Sequence, residues 1–339
     1  MPSVSSDVSE IINATTIRSV DRFVVADSVC DVPSDVDGDV GLTSLLANAL
    51  YRLMYCRPTT NSVARAIDTR AARVFVDELS SANCGTGTWE PGWRIETVEP
   101  DGTLVVANQR DDLTVWAQPW QFASANAARH AGILGRLHVG KELREMLPGY
   151  YTALGDADQP VTDGGTAVEL VRIYWHLTAD GAATWIRELT QRLNAAEIAF
   201  RAKVLSVPAA YFRADAGVLY LARPDFDRTK PLLPELHRSV SQHLRPATPM
   251  FTKRLARGLA VAEDPSGGRS FGQHRCEVIA EGLVRAFERG RASAAAQADE
   301  VANRFTEEGL DVTRPWLGPG SEERYVWPSS GATAQKGSR

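Results

Sequence analysis

Apolar positions along the chain change their spacing several times, and each change predicts an element. From Leu42 to Tyr55 (LTSLLANALYRLMY) and from Ser62 to Leu79 (SVARAIDTRAARVFVDEL) they recur every three or four residues, with a Ser or Thr near each start to cap it. Both stretches read as helices. Between Trp89 and Trp120 the spacing drops to two, through WRIETVEP, TLVVAN and DLTVWAQP. The Asp101-Gly102 pair between the first two of these is a hairpin signal, because the turn needs positive φ at its centre. Ala127 to Met146 returns to helical spacing and closes at Pro148-Gly149. The first forty residues mix Ser, Asp, Val and Pro around one apolar run, Phe23 to Ala26, and read as a partly ordered, extended arm.

The segment Gly155 to Gly165 (GDADQPVTDGG) has the texture of a linker. Beyond it VELVRIYWHL and EIAFRAKVLS read as strands on either side of a helix from Gly181 to Leu193. AAYFRAD and GVLYLARP follow as a hairpin-like pair, and Leu232 to Leu244, His274 to Arg289 and Arg291 to Phe305 read as helices. The expected architecture is α+β, a helical and small antiparallel-sheet N-terminal part packed on an α+β C-terminal domain. In numbers this is an arm over 1–40, a helical and β-hairpin domain over 41–155, an α+β domain over 166–320 and a disordered tail over 328–339.

Composition narrows the function classes. The 339 residues are 44% hydrophobic and 23% charged, an ordinary globular balance. A formal charge of -5 argues against a broad nucleic-acid surface, which needs a basic face, so no nucleic-acid partner is expected. The start, MPSVSSDVSEIINATT, lacks the charged and apolar regions of a secretory signal, and no apolar run is long enough to span a bilayer. The expected location is cytoplasmic, with no membrane partner. Cys30, Cys56, Cys84 and Cys276 stand far apart without a CxxC pair, as reduced structural thiols do.

Three familiar motifs fail on inspection. Gly135 to Lys141 (GRLHVGK) has the spacing of a phosphate-binding loop, but Glu142 stands where a Ser or Thr should hold magnesium, and the segment lies within an expected helix rather than after a strand. The six histidines show no HExxH pattern or shared metal spacing, and no GxSxG elbow exists for a serine hydrolase.

The informative block runs from Arg172 to Arg275. It holds Arg172, Tyr174 and Trp175 as R-x-Y-W, then Leu193-Asn194, FRAKV (Phe200 to Val204) and RADAGVLYL (Arg213 to Leu221). PMFTKRLARGLAVAEDP (Pro249 to Pro265) and SFGQHRC (Ser270 to Cys276) follow, and LPGYYTALG (Leu147 to Gly155) precedes them. In this order and spacing the set resembles the HopA-type effector family over roughly half the chain. That family includes effectors of plant-pathogenic bacteria and stand-alone proteins of modified-peptide clusters, among them class V lanthipeptide and thioamitide pathways. The resemblance implies a cofactor-free phosphoserine/phosphothreonine lyase. A kinase-like partner, in a hetero-complex, would phosphorylate a precursor peptide, and this chain would eliminate phosphate to leave dehydroalanine or dehydrobutyrine. Two other classes stay open: a non-catalytic module binding the phosphorylated precursor peptide or the kinase, and a host-directed effector.

Such an elimination needs a base, positive charge near the developing enolate, a phosphate clamp and an acid for the leaving oxygen. Lys203, in an otherwise apolar strand, is the candidate base. Arg201 shares its face by strand alternation and is a candidate phosphate ligand, unless the two merely mark the solvent face of an edge strand. Arg213 offers a fork for phosphate oxygens with Asp215 to orient it, or the two form an ordinary surface pair. Lys253, Arg254 and Arg257 form a second basic group on an expected helix capped by Thr252, a candidate anion site or a solvated face. His274 is a candidate acid or a core histidine, Arg275 a candidate phosphate ligand, and Tyr220 a further proton donor. Phosphothreonine lyases, by analogy, carry a His two residues after the base Lys; Leu205 stands there. The region of Trp116, Trp120 and Phe122 is either a buried hairpin core or a partner surface.

Overall fold

The computed structural model describes residues 3–33, 38–58, 68–108, 113–125, 127–144, 147–157, 168–265 and 270–327. The linker-like residues from 158 to 165 and the tail from 328 onward, both anticipated above, lie outside them, as does the expected helix start at Ser62.

The N-terminal residues are folded rather than extended. Ser5 caps α1 (Ser6–Ala14) by accepting the Val8 N–H, and β1 (Thr15–Ser19), β2 (Arg22–Val25) and β3 (Ser28–Asp31) form an antiparallel meander. Val8, Ile11 and Ile12 have helical spacing and are buried, together with Phe23 and Val25. The Ser and Asp residues among them hide that period. Asp7 holds the helix in place: its carboxylate accepts the Phe251 N–H at 2.6 Å and pairs with Arg57 at 2.9 Å.

α2 (Gly38–Leu50) runs into one π-helical turn, Tyr51–Tyr55, and α3 (Thr69–Ala82) begins at Asp68, which caps the N–H groups of Arg70 and Ala71. A five-stranded antiparallel sheet follows: β4 (Thr88–Val98), β5 (Leu104–Asn108), β6 (Leu113–Ala117), β7 (Phe122–Ala123) and β8 (Leu134–Val139), in the order β6-β5-β4-β8-β7. The Asp101-Gly102 turn forms as expected, with Gly102 at φ +88° and the Asp101 carboxylate accepting the Thr103 N–H. The helix expected from Ala127 to Met146 does not form. Its Leu134–Val139 part pairs with β4, Gly132 and Ala127 take positive φ, and residues 145 and 146 lie outside the described ones. Ile133, Leu134 and Leu137 have helical spacing, but Leu137 gains burial against Trp93 and Phe122 in the sheet core, which a lone helix would not offer. The phosphate-loop spacing at Gly135 to Lys141 is therefore carried by a strand, with no helix after it. Phe122 is buried, while Trp116 and Trp120 face outward.

The remaining elements build a seven-stranded antiparallel sheet with helices on both faces. They are β9 (Glu142–Leu143), β10 (Tyr150–Leu154), β11 (Leu170–Trp175), α4 (Ala179–Ala195), β12 (Arg201–Leu205), β13 (Gly217–Ala222), α5 (Asp225–Thr229), α6 (Leu233–Val240), β14 (Lys253–Ala256), β15 (Leu259–Glu263), α7 (Phe271–Glu288) and α8 (Ala294–Glu307). The strand order is β14-β15-β11-β13-β12-β10-β9, so the sheet reaches back across the boundary anticipated near residue 155. Two further expectations change. Lys253, Arg254 and Arg257 are not on a helix: the first two lie in β14, Arg257 lies in its hairpin turn, and the Thr252 hydroxyl donates to the Pro249 carbonyl instead of capping. AAYFRAD is a short helical turn and loop rather than a strand, because Pro208 opens a 3₁₀ turn there.

Alternation assigns the two faces. Ile173, Trp175, Ala202, Val204, Leu219 and Val261 pack against Trp185, Ile186 and Leu189 of α4 and against Leu233 and Leu236 of α6. Trp175 and Trp185 are fully buried; truncating either to Ala is worth roughly 3–5 kcal/mol on the usual scale. Tyr174, Val218 and Ala262 point the other way, into a second core with α1, α2, α7 and α8. At Gly272 a Cβ would stand 2.3 Å from the Tyr55 ring, so the glycine lets α7 approach the π turn. No described helix is long and apolar enough to cross a membrane, and the four cysteines are unpaired.

His176, just past β11, is 1% exposed, with Nδ1 on the Ala247 carbonyl at 3.0 Å and Nε2 without a partner. Burial lowers its pKa from the ordinary 6.5 despite the Ala247 bond. The unfolded chain therefore binds this proton more readily than the folded one. The stabilising contribution is full above pH 6.5 and drains away as pH falls through the depressed folded value. Urea midpoints taken at descending pH should fall less steeply for His176→Gln than for wild type; parallel slopes would assign the acid sensitivity to other groups.

Candidate functional site

The second face of the large sheet changes character from one side to the other. At β11, β13 and β15 it is covered by helices, but among the described residues neither β10 nor β12 contributes to that second core. Polar side chains gather where the cover ends. Lys203 lies opposite Thr152 of β10 and Val218 of β13, while Arg201, Tyr220 and Arg172 form one row across β12, β13 and β11.

These residues form a ladder of cations and tyrosine rings. The Arg172 guanidinium carbon stands 5.1 Å from the centre of the Tyr220 ring. Lys203 Nζ is 5.4 Å from that ring and 4.6 Å from the ring of Tyr150. The Tyr150 hydroxyl lies in the field of Asp215 and Arg213, whose guanidinium is 5.7 Å from the Tyr51 ring. Tyr51 in turn stacks on Tyr55 at 5.1 Å. Cation–π contacts of this kind contribute about 0.5–2 kcal/mol each, more as water is excluded.

Both arginines of the ladder are held by carboxylates. Asp215 grips Arg213 with both oxygens, Oδ1 to Nε at 2.9 Å and Oδ2 to a terminal nitrogen at 2.7 Å, and that nitrogen also donates to the Tyr51 hydroxyl at 3.1 Å. Burial opposes the Arg213 charge, and Asp215 more than restores it, so the guanidinium stays ionised. The π turn matters here because it sets Tyr51 over this pair; such turns recur at functional sites. On the far side Arg172 pairs with Asp264, whose carboxyl is pushed up by burial against the opposing pull of Arg172 and Lys203. Lys203 differs from both. Half-buried between two rings, its ammonium makes no close ion pair or hydrogen bond among the described residues and feels Asp264 only through space.

The residues singled out from sequence thus divide. Lys203, Tyr220, Arg213 and Asp215 meet in the ladder, and Arg201 stands exposed at its rim beside Tyr220. The others do not join it. Lys253 pairs with Glu323 at 2.8 Å, and Arg254 is exposed, its Nε reaching the Ala256 carbonyl. Arg275 is 1% exposed and donates to the Pro315 and Leu317 carbonyls at 2.8 and 2.9 Å, so it ties down the C-terminal segment rather than presenting itself to phosphate. Burial, partly offset by Tyr174 and Glu263, lowers its pKa to about 10. His274 is buried beside it, accepting an Arg275 N–H at Nδ1 with Nε2 turned toward Glu308 at 3.8 Å. It is a core histidine, not an acid of the ladder.

Tyr150, Arg172, Asp264 and Tyr51 were missed as site residues. The first three sit inside the family-like blocks LPGYYTALG, RxYW and AEDP, and Arg172 in an otherwise apolar strand was a usable signal. Tyr51 carried none, since its role depends on the π turn.

Fold and site define an antiparallel α+β protein with a cationic, tyrosine-lined cluster beside the part of its main sheet that, among the described residues, the second core leaves out. The profile of the HopA1 effector protein family matches residues 143–317, more than half the chain and nearly the whole of that sheet, and the chain belongs to this family. Among solved structures, an effector protein from Pseudomonas syringae pv. tomato strain DC3000 is similar at 15% identity, covering 80% of this chain and 90% of that one with a TM-score of 0.47. An effector from Pseudomonas syringae pv. syringae strain 61 is similar at 12% identity, covering 83% and 97% with a TM-score of 0.44. None of the curated proteins matches the chain.

Proposed function

We propose that this HopA1-family chain is a lyase that β-eliminates phosphate from phosphoserine or phosphothreonine in a peptide, working with a kinase-like partner that installs the phosphate. One observation carries the reading: Lys203 makes no ion pair or hydrogen bond among the described residues, the Asp264 charge that it feels being already paired with Arg172, yet it lies between two tyrosine rings, that of Tyr220 also facing Arg172. A lysine amine so placed is available to a substrate. In the reaction it takes the Cα proton, Arg213 and Arg201 hold the phosphate oxygens, and Arg172 lies where charge gathers on the adjacent carbonyl. Asp215 and Asp264 keep the two inner guanidinium groups in fixed positions, so little reorganisation accompanies charge movement.

The test is direct. The full chain incubated with a synthetic phosphothreonine peptide should yield a product lighter by one phosphoric acid in the mass spectrum, with free phosphate appearing in step. A phosphopeptide that binds but keeps its mass would instead assign the site to phosphate recognition without chemistry, the reading that two carboxylate-paired arginines favour.

A further inference from the structure

The elimination also requires a proton for the departing oxygen, and both His274 and the Leu205 position are excluded from supplying it, the first by its place in the core and the second by its side chain. The tyrosines offer a choice. Four of the eight donate or share their hydroxyls within the fold: Tyr51 with Asp215, Tyr151 to Glu142, Tyr211 to the Leu205 carbonyl and Tyr325 to Glu263. Tyr55 and Tyr174 are closed inside the second core. That leaves Tyr150 and Tyr220, the two that box Lys203, and among the described residues neither hydroxyl has a hydrogen-bond partner.

Position separates the pair. Tyr220 lies on the Arg172 side, in the row with Arg172 and Arg201. Tyr150 lies diagonally from Lys203 across the β10–β12 register, 4.6 Å from Lys203 Nζ at its ring centre, and its hydroxyl feels the charges of Asp215 and Arg213, the pair proposed to face the phosphate. Resting on the lyase reading, we propose that Tyr150 is a catalytic residue, the general acid that protonates the departing phosphate. Burial and Asp215 hold its phenol above the ordinary value, against the pull of Arg213, so it enters the reaction carrying its proton.

The step balances without a cofactor. Lys203 Nζ takes the Cα hydrogen as a proton, and the Cα–H electron pair becomes the Cα=Cβ bond. The Cβ–O pair leaves with the phosphate oxygen, which takes the Tyr150 phenolic proton and departs as hydrogen phosphate. The Lys203 ammonium, 4.6 Å from the Tyr150 ring centre, then returns a proton to the phenolate, and both groups are reset.

A change of leaving group tests the assignment. A sulfoserine peptide presents the same tetrahedral shape, but sulfate is a weak base and departs without a proton. Tyr150→Phe keeps the ring beneath Lys203, so it should slow elimination from a phosphoserine peptide by roughly 10²–10⁴-fold while leaving the sulfoserine peptide little affected. Equal losses on both peptides, or a phosphate-selective loss in Tyr220→Phe instead, would overturn Tyr150 as the donor and leave the lyase standing. Wild-type protein that converts neither peptide removes the lyase reading, and the donor with it.

Discussion

Replacing Lys203 with Ala should reduce phosphopeptide elimination by roughly 10²–10⁴-fold, the range ordinarily lost with a general base, while the protein stays folded. Lys203 is half-buried and contributes cation–π contacts rather than a buried ion pair, so the stability cost should stay within about 1–2 kcal/mol. Lys203→Arg is the more telling variant. It keeps a cation over the Tyr150 and Tyr220 rings, but a guanidinium cannot lose its proton in the working range and so cannot act as the base. Phosphopeptide affinity should survive in Lys203→Arg and turnover should not. Elimination at the wild-type rate in either variant would place the base elsewhere, and full activity in the arginine variant alone would make Lys203 an electrostatic anchor.

Arg275→Ala should destabilise the protein by roughly 3–5 kcal/mol, the largest stability effect expected of any charged residue named above. The side chain is fully buried, and its loss takes the donor from two backbone carbonyls, at Pro315 and Leu317, removes the Arg275 bond to His274 and leaves a cavity beside Phe271. An unmet buried acceptor costs about 1–3 kcal/mol, so the two carbonyls account for most of the effect before the cavity is added. Chemical denaturation of the variant measures it. Arg275→Lys should recover only part of the loss, because one ammonium cannot span both carbonyls in the geometry of the fork. A stable Arg275→Ala protein that has merely lost phosphate affinity would return this residue to the anion site that its sequence context suggests.

Much of the architecture was legible from spacing alone. The Asp101-Gly102 hairpin, the strands at VRIYW and RAKVL, and the helices expected at Gly181 to Leu193 and His274 to Arg289, which correspond to α4 and α7, all follow from local period and turn signals, which the chain carries within a few neighbours. The same local rule failed from Ala127 to Met146, where helical spacing lost to pairing with β4 and burial of Leu137, an interaction between residues some fifty positions apart in sequence. It failed again at Lys253 and Arg254, where a hairpin closed by Gly258 at φ +63° replaced the expected helix. For the site, sequence alone determined the family-like blocks, the shared face of Arg201 and Lys203, and the closeness of Arg213 to Asp215. Only the tertiary structure decided which cations face one another: it drew Tyr150, Arg172, Asp264 and Tyr51 around Lys203, and it enclosed His274 and Arg275 in the core. Strand alternation reports the face of a residue but not what lies across it, because antiparallel register and helix cover are set by burial between distant segments, and that information belongs to no single stretch of chain.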